Sequence, residues 1–240
     1  MRIIADTHTH TIASTHAYST AQEMIAAAAE KGLYAIALTD HGYAMPGSPG
    51  KWFFESLGAI PSTYNGVRVL KGVEANILDK DGTLDMTDEV LADLEWVVAS
   101  IHGLLWKGKP SVEAVTNAYL NLAKNPNVNV IGHSGTPKFK YDYNTVIPEL
   151  ARNGKLIEIN DNTFFFRKSS CENCVEIAKT CKKFGAYVVV NSDAHFSSKV
   201  GHFSCAIEML NEIDFPQELI INSDEIRFKK YLEQNGISLV

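Results

Sequence analysis

Short β-branched and apolar runs recur along the chain, each followed by a polar turn and then a stretch of helix-like periodicity. They are Arg2 to Ala5, Ala35 to Thr39, Val67 to Val73, Trp96 to Ile101, Val128 to Ile131, Lys155 to Ile159 and Ala186 to Asn191. Runs of this length bounded by turn formers predict strands. Two of the intervening stretches carry helix-start chemistry. Thr20 stands three residues before Glu23 and Ser169 three before Glu172, so in each a hydroxyl and a carboxylate can satisfy each other's helix-end amides. Gly32 and Gly185 stand where those helices would stop. Strand, turn and helix in seven repeats predict a parallel sheet with right-handed crossovers, and a set of that size closes into a barrel. The expected fold is therefore α/β, a (β/α) barrel of seven or eight strands. Glu218 to Asn222 is the candidate extra strand, ahead of a final helix from about Asp224 to Gln234. Nothing reads as a linker, so residues 1–240 are expected to form a single domain.

Composition narrows the class. Hydrophobic residues make up 45% of the chain and charged residues 21%, which is ordinary for a globular protein and excludes disordered and fibrous classes. The longest apolar runs, such as Ala186 to Val190, fall far short of the roughly 18 residues of a membrane span. Polar residues follow Met1-Arg2-Ile3-Ile4-Ala5-Asp6 at once, without a signal-peptide pattern, so a cytoplasmic location is expected. There, four cysteines are not expected to form a disulfide framework. A net charge of −6 supplies no broad basic footprint, so neither nucleic acid nor a membrane is an expected partner.

The chemistry enters with the histidines. Strand one runs into Asp6-Thr-His8-Thr-His10, strand two into Asp40-His41, strand three into Glu74, strand four into His102, strand five into Gly132-His133 and strand seven into Asp193-Ala-His195. In a parallel barrel all these C-terminal strand ends open into one mouth. Eight ligand-type side chains therefore converge, and His16 in the first loop can join them. Residues two apart on an extended chain share a face, so His8 with His10, and Asp193 with His195, can serve the same or neighbouring ions. Mixed imidazole and carboxylate donors suit zinc, manganese or iron. Nine donors exceed the needs of one ion, and at roughly four per ion with a bridging carboxylate they imply two or three. Any one of these histidines alone would read as a hydrogen-bonded core residue. Seven of the chain's eight fall in the set, however, and only His202 stands outside it. Asp6 and Asp40 read either as turn residues or as acceptors behind a ligand, and Asp40 is given the second role.

Two other signals are weaker. Cys171 and Cys174 have zinc-site spacing, but Cys174, Ile177, Ala178 and Cys181 recur at helical spacing and predict a packed helix face. Phe164-Phe165-Phe166 fits a pocket wall and equally a loop anchor. The turn-rich run Gly42 to Gly50 fits a lid or a plain connection.

His8-x-His10 with His16, Thr-Asp40-His41-Gly, Gly-x-Glu74, Ser-x-His102, Gly132-His133, Glu158-Ile-Asn160 and Asn191-Ser-Asp193-Ala-His195 together resemble the PHP (polymerase and histidinol phosphatase) domain. The likeness covers nearly the whole chain and is strongest to the small stand-alone YcdX-type phosphatases, which implies a distorted seven-stranded barrel. It further implies three divalent ions, zinc foremost. One would lie on His8, His10, Glu74 and Asp193, a second on Glu74, His102 and His133, and a third on His16, His41 and His195. The expected reaction is hydrolysis of a phosphate monoester by a metal-bridging hydroxide, with Glu74, Asp193 and His195 at the reacting atoms. Three ions bring about +6 against −2 from Glu74 and Asp193, which suits a small phosphorylated substrate. Arg167 and Lys138 are the expected substrate contacts, with Lys168 a weaker one and His202 a candidate general acid. A phosphodiesterase or nuclease of the same chemistry, a histidinol-phosphate phosphatase, an amidohydrolase and a non-catalytic metal-binding module stay open as alternatives.

Overall fold

The computed structural model describes residues 1–239. Its strands are β1 (Ala5–Thr9), β2 (Ala35–Leu38), β3 (Thr63–Tyr64), β4 (Val67–Asn76), β5 (Trp96–Ser100), β6 (Val130–Ile131), β7 (Leu156–Asn160) and β8 (Val188–Asn191). Seven of them run parallel in the order β1-β2-β4-β5-β6-β7-β8, and short β3 pairs antiparallel on the outside of β4. Helices and short 3-10 turns fill the connections, giving a nearly closed, distorted TIM-like barrel.

Strand alternation divides the apolar residues into two cores. Leu70, Trp96, Val98, Val130, Leu156 and Val189 point inward with Ala5, Ala35 and Ala37, and the outward residues between them pack under the surrounding helices. The inner core is closed at the N-terminal end of the strands by the last helix, Glu225–Gln234. Its Phe228 and Tyr231 rings lie 6.2 and 6.0 Å from the Trp96 ring. With that end plugged, the opposite end of the barrel is where a site can form.

The seam between β1 and β8 is closed by side chains more than by a backbone ladder. Asn191 Oδ1 accepts from the Thr7 amide and hydroxyl, each at 2.8 Å. Asn222, fully buried, donates through Nδ2 to Ala5 O at 2.8 Å and Val190 O at 2.7 Å, and accepts from Val190 N at 3.1 Å. The segment read as a possible eighth strand is thus a pair of 3-10 turns, Gln217–Leu219 and Ile221–Ser223, with one bridge from Val188 to Ile220. A side-chain amide has taken over the pairing that a strand would have supplied.

Helix boundaries follow the sequence signals in part. Thr20 and Glu23 form the reciprocal capping box of helix Ala21–Glu30, and Gly32, at φ +65°, follows its end. Gly185 caps helix Cys171–Phe184 in the left-handed conformation. The expected box at Ser169 and Glu172 does not form. A 3-10 turn over Lys168–Ser170 leads straight into the helix, so Ser170 takes the cap position without a side-chain bond. That helix buries Ile177, Ala178 and Cys181, as its stripe predicts. No helix among the described residues is long and apolar enough to cross a membrane.

Candidate metal centre

Three local devices turn the expected ligands into the barrel mouth. The first is a bulge. Ala5 faces the inner core, so strict alternation would send His8 and His10 outward. Between Asp6 and Thr9, β1 instead spends three residues where β2 spends two, and the parity reverses. This also explains why the strand runs on past Ala5, where the sequence pattern ends it.

The second device is backbone strain at β6. Gly132 faces inward, where a Cβ would lie 2.2 Å from Ser100 Oγ and 2.8 Å from Val98 Cγ1. His133 follows at φ +23°, which swings its ring inward where alternation would send it out. The third is Asp193, held at φ +54° after β8. Left-handed non-glycine residues are uncommon, and two of the four among the described residues stand in the cluster.

Glu74 is the hub. Its Oε1 lies 2.9 Å from His133 Nε2, 3.3 Å from His8 Nε2 and 3.6 Å from His102 Nε2, and its Oε2 lies 2.7 Å from His41 Nδ1 and 3.5 Å from His10 Nε2. Asp193 Oδ1 lies 3.4 Å from His10 Nε2 and 3.7 Å from His8 Nε2. His16 joins through His195, at 2.9 Å between Nε2 atoms, and through His41 at 3.4 Å. All nine expected ligands therefore meet in one place.

The donor set fits metal ions. His8 Nε2, His10 Nε2 and His41 Nδ1 are buried and make no hydrogen bond. Separations of 3.3 to 3.7 Å from His8 and His10 to the carboxylates are too long for hydrogen bonds. They match the edge of a tetrahedron whose donors sit roughly 2 Å from a common centre, about 3.3 Å. Three groups have ligand atoms close enough to share an ion: His8, His10 and Asp193; His10, His41 and His195; and His41, Glu74 and His102.

Behind the ligands a ring of acceptors fixes their tautomers. His8 Nδ1 donates to Glu158 Oε1 at 2.7 Å, His102 Nδ1 to Asn76 Oδ1 at 2.7 Å, His195 Nδ1 to Asp193 O at 2.9 Å and His10 Nδ1 to Ser14 Oγ at 3.2 Å. Each contact turns Nε2 toward the cluster. Asp40 accepts from Ser14 Oγ and from the amide and hydroxyl of Thr11, so it braces the first loop from behind. Asp6 accepts from Ser192 and the Gly201 amide, which anchors the turn carrying Asp193. Burial pushes the Asp6 carboxyl up to about 6. Asp85 accepts from Asn76 Nδ2 at 2.6 Å and from Ala44 N at 2.8 Å. It thereby orients the amide that holds His102 and ties down the Gly42 to Gly50 segment.

Glu158, Asn76, Ser14 and Asp85 were not singled out as site residues from sequence. For two of them a signal existed, since Glu158 and Asn76 are polar residues at inward positions of otherwise apolar strands. Glu158 also accepts from His133 N at 2.7 Å and Asn191 Nδ2 at 2.9 Å, so one carboxylate orients two ligands, His8 and His133, and ties them to β8. Glu158→Gln is expected to weaken metal retention and activity by about 10- to 100-fold. Elemental analysis after graded chelation measures it, and a variant that retains metal like the parent would remove Glu158 from this role.

Burial alone would raise the Glu74 carboxyl, but the imidazoles of His8, His102 and His41 outweigh it and hold the group well below the usual carboxylate range. Burial likewise works against the His8 imidazolium, and Glu158, Glu74 and Asp193 overcome it, so His8 titrates well above an ordinary histidine. Desolvation, with His41 and His195 close by, pushes His10 well below that value. Burial also brings His102 down to about 3.

Above the cluster opens a cavity of about 590 Å³, with His16, His41, Glu74, His102, Asp193 and His195 at its base. Arg167 reaches into it with Nη1, which is buried, makes no hydrogen bond and lies 3.6 Å from Asp193 Oδ2. His202 lines the wall. Lys138 and Lys168 are exposed and stand apart from the lining, so the structure does not bring these two to the site. Phe165 and Phe166 line the cavity, whereas Phe164 packs on the core.

The model of the PHP domain matches residues 6–163. A protein of Acetivibrio thermocellus named "Probable phosphatase" is 46% identical over 234 residues, covering 98% of this chain and 97% of the relative. A "Probable phosphatase" of Clostridium botulinum strain Hall is 41% identical over 236 residues, covering 98% and 97%. Among solved structures, histidinol phosphate phosphatase from Lactococcus lactis, complexed with zinc, L-histidinol and phosphate, superposes with a TM-score of 0.61 at 17% identity, over 99% of this chain and 95% of that one. At that identity the likeness speaks to the fold.

Proposed function

This chain belongs to the PHP domain family, and from that membership we propose that it is a divalent-metal-dependent phosphatase acting on phosphate monoesters. The observation that carries the reading is the convergence of nine His, Glu and Asp donors beneath an open cavity, with buried imidazole nitrogens that lack any other partner. The proposed load is three ions. His8, His10, Glu74 and Asp193 would hold the first, Glu74, His102 and His133 the second, and His16, His41 and His195 the third. His41, whose Nδ1 lies at Glu74 and Nε2 near His16, stands between the second and third. Zinc is the first candidate, in line with the donor types and with the zinc of the Lactococcus lactis protein. Divalent ions, when bound, lower the pKa of water to near neutrality and draw charge from phosphoryl oxygens.

The protein's own residues supply orientation and charge. Glu74 and Asp193 keep the imidazoles of the cluster in register, and the acceptors behind them hold Nε2 atoms toward the centre. Arg167, with an unpartnered Nη1 beside Asp193, would take a phosphoryl oxygen and fix the ester above the cluster. Its guanidinium also complements the dianionic charge of a monoester, which a diester carries only once. No serine or cysteine nucleophile is required, and the three cysteines of helix Cys171–Phe184 stand outside the ligand groups.

The test is metal content on protein purified without chelator, paired with p-nitrophenyl phosphate turnover before and after stripping and reloading with zinc or manganese. The expected result is about three ions per chain and turnover that returns with metal. One ion or none in well-folded protein, with no turnover on reloading, would overturn it.

A further inference from the structure

We infer that the cavity selects phosphate monoesters whose alcohol carries a flat, uncharged aromatic ring, an inference that rests on the phosphomonoesterase reading and narrows its substrate class. Around the mouth stand Tyr18, Leu104, Phe165, Phe166 and Phe196, all lining the one cavity whose base is the ligand cluster. They come from four separate connections, those after β1, β5, β7 and β8, so their meeting is a product of the fold and not of one greasy segment. They are 70, 66, 45, 79 and 51% exposed, in that order. Single exposed rings are ordinary on a protein surface, but five large apolar side chains around one opening form a patch that water covers poorly. Among the described residues none of the four rings stacks on another ring. Their faces carry no other ring, and only Phe165 has a cation, Lys199, over one face.

The wall is poor in groups that would recognise an ammonium, and outside the cluster its neutral polar side chains are Ser192, Asn162 and His202. Ser192 spends its hydroxyl on Asp6 at 2.5 Å, and Asp161 is buried with Oδ1 taking the Ala206 amide at 2.7 Å. Apart from Glu74 and Asp193 in the cluster, Asp161 is the lining carboxylate. A polyol could pair with Asn162 and His202 but would leave its other hydroxyls unpaired against the four rings and Leu104, which costs binding. Lys199, with Nζ 5.4 Å from the Phe165 ring, and Arg167 add positive charge to the same wall and repel an amino alcohol. With the phosphoryl group at the base, a ring in the alcohol extends toward the aromatic rim, where stacking and burial act together.

Three primary alkyl monoesters isolate the effect, because their leaving alcohols differ little in intrinsic reactivity: 2-phenylethyl phosphate, glycerol 1-phosphate and ethanolamine phosphate. The expected result for metal-loaded enzyme is kcat/KM about 10- to 100-fold higher for the phenylethyl ester, expressed mainly in KM. In Phe166→Ala/Phe196→Ala the ratio between substrates should collapse toward one. The non-hydrolysable 2-phenylethylphosphonate and propylphosphonate, titrated by calorimetry, should show the same preference as affinity. Equal turnover of the three esters, or preference for either polar one, overturns the inference while leaving the phosphatase reading intact. If neither these esters nor p-nitrophenyl phosphate is turned over the phosphatase reading fails, and the calorimetric ratio alone then decides whether the rim binds rings. A wild-type oligomer that the double variant dissociates without altering the substrate ratio would assign the rim to contacts between copies and also overturn it.

Discussion

Glu74→Gln is expected to lower kcat/KM for p-nitrophenyl phosphate by about 10³-fold or more, and to reduce metal content by at least one ion per chain. The substitution keeps shape and volume, so the barrel should fold. It exchanges one anionic oxygen for a donor amide at the point where five imidazoles converge, with His133 Nε2 at 2.9 Å, His41 Nδ1 at 2.7 Å and His8, His10 and His102 at 3.3 to 3.6 Å. An N–H placed there presents hydrogen to the face that metal ions need and removes negative charge that offsets theirs. The local pKa pattern sets the pH dependence. His8 is held well above an ordinary histidine by Glu158, Glu74 and Asp193 once their pull exceeds the opposing cost of burial, so loading an ion onto its Nε2 site releases a proton. Metal affinity should thus fall as pH is lowered. Circular dichroism separates folding from function, and a folded Glu74→Gln protein with parental metal content and turnover would remove Glu74 from the hub.

Asn222→Leu is expected to cost about 4 kcal/mol of stability, or roughly 10 °C in Tm. Leucine fills similar space but strands Ala5 O, Val190 O and Val190 N, three buried backbone groups now satisfied by one side chain at 2.7 to 3.1 Å. Each unmet group carries a penalty of about 1–3 kcal/mol, and part is recovered through apolar burial of the new side chain. Asn222→Asp should fall between, since it keeps an acceptor for Val190 N but turns oxygen toward the two carbonyls. Thermal and urea denaturation measure both. A leucine variant as stable as the parent would mean that the seam does not depend on the amide.

What the sequence disclosed depended on how each residue enters the site. Glu74, His41 and His102 lie on the inward parity of their strands or one step beyond, and periodicity alone brings them to the mouth. His8 and His10 do not. Their inward turn needs the bulge in β1, which has no composition signature, and only their number and spacing betrayed them. His133 needs a positive φ after a glycine that makes room beside Ser100, a backbone matter that no hydrophobic pattern records. Glu158 was visible as an acid in an apolar strand, yet its work for His8 and His133 depends on neighbours from other strands. Asn222 read as the end of a strand because Ile220 and Ile221 precede it, whereas its side chain replaces the strand. Lys138 and Lys168 follow β6 and β7, whose ends open on the mouth, but loop conformation, which is set by local turns and not by periodicity, leaves them exposed.

The seam also imposes an order on synthesis. Ile4 N bonds to Asn222 O, and Ala5 O to Asn222 Nδ2, so residues more than two hundred apart in the chain complete the same joint. The ligands it brings together are similarly distant, His8 and His10 from one extreme and Asp193 and His195 from the other. A nascent chain that has exposed His8, His41, Glu74 and His102 still has no second wall for them, and the long loop must close before the contacts that reward it exist. Growing chains on the ribosome should therefore ignore metal until the segment around residue 222 has emerged, and then acquire the ability to bind it abruptly. Timing, as much as chemistry, keeps a half-made hydrolase inert.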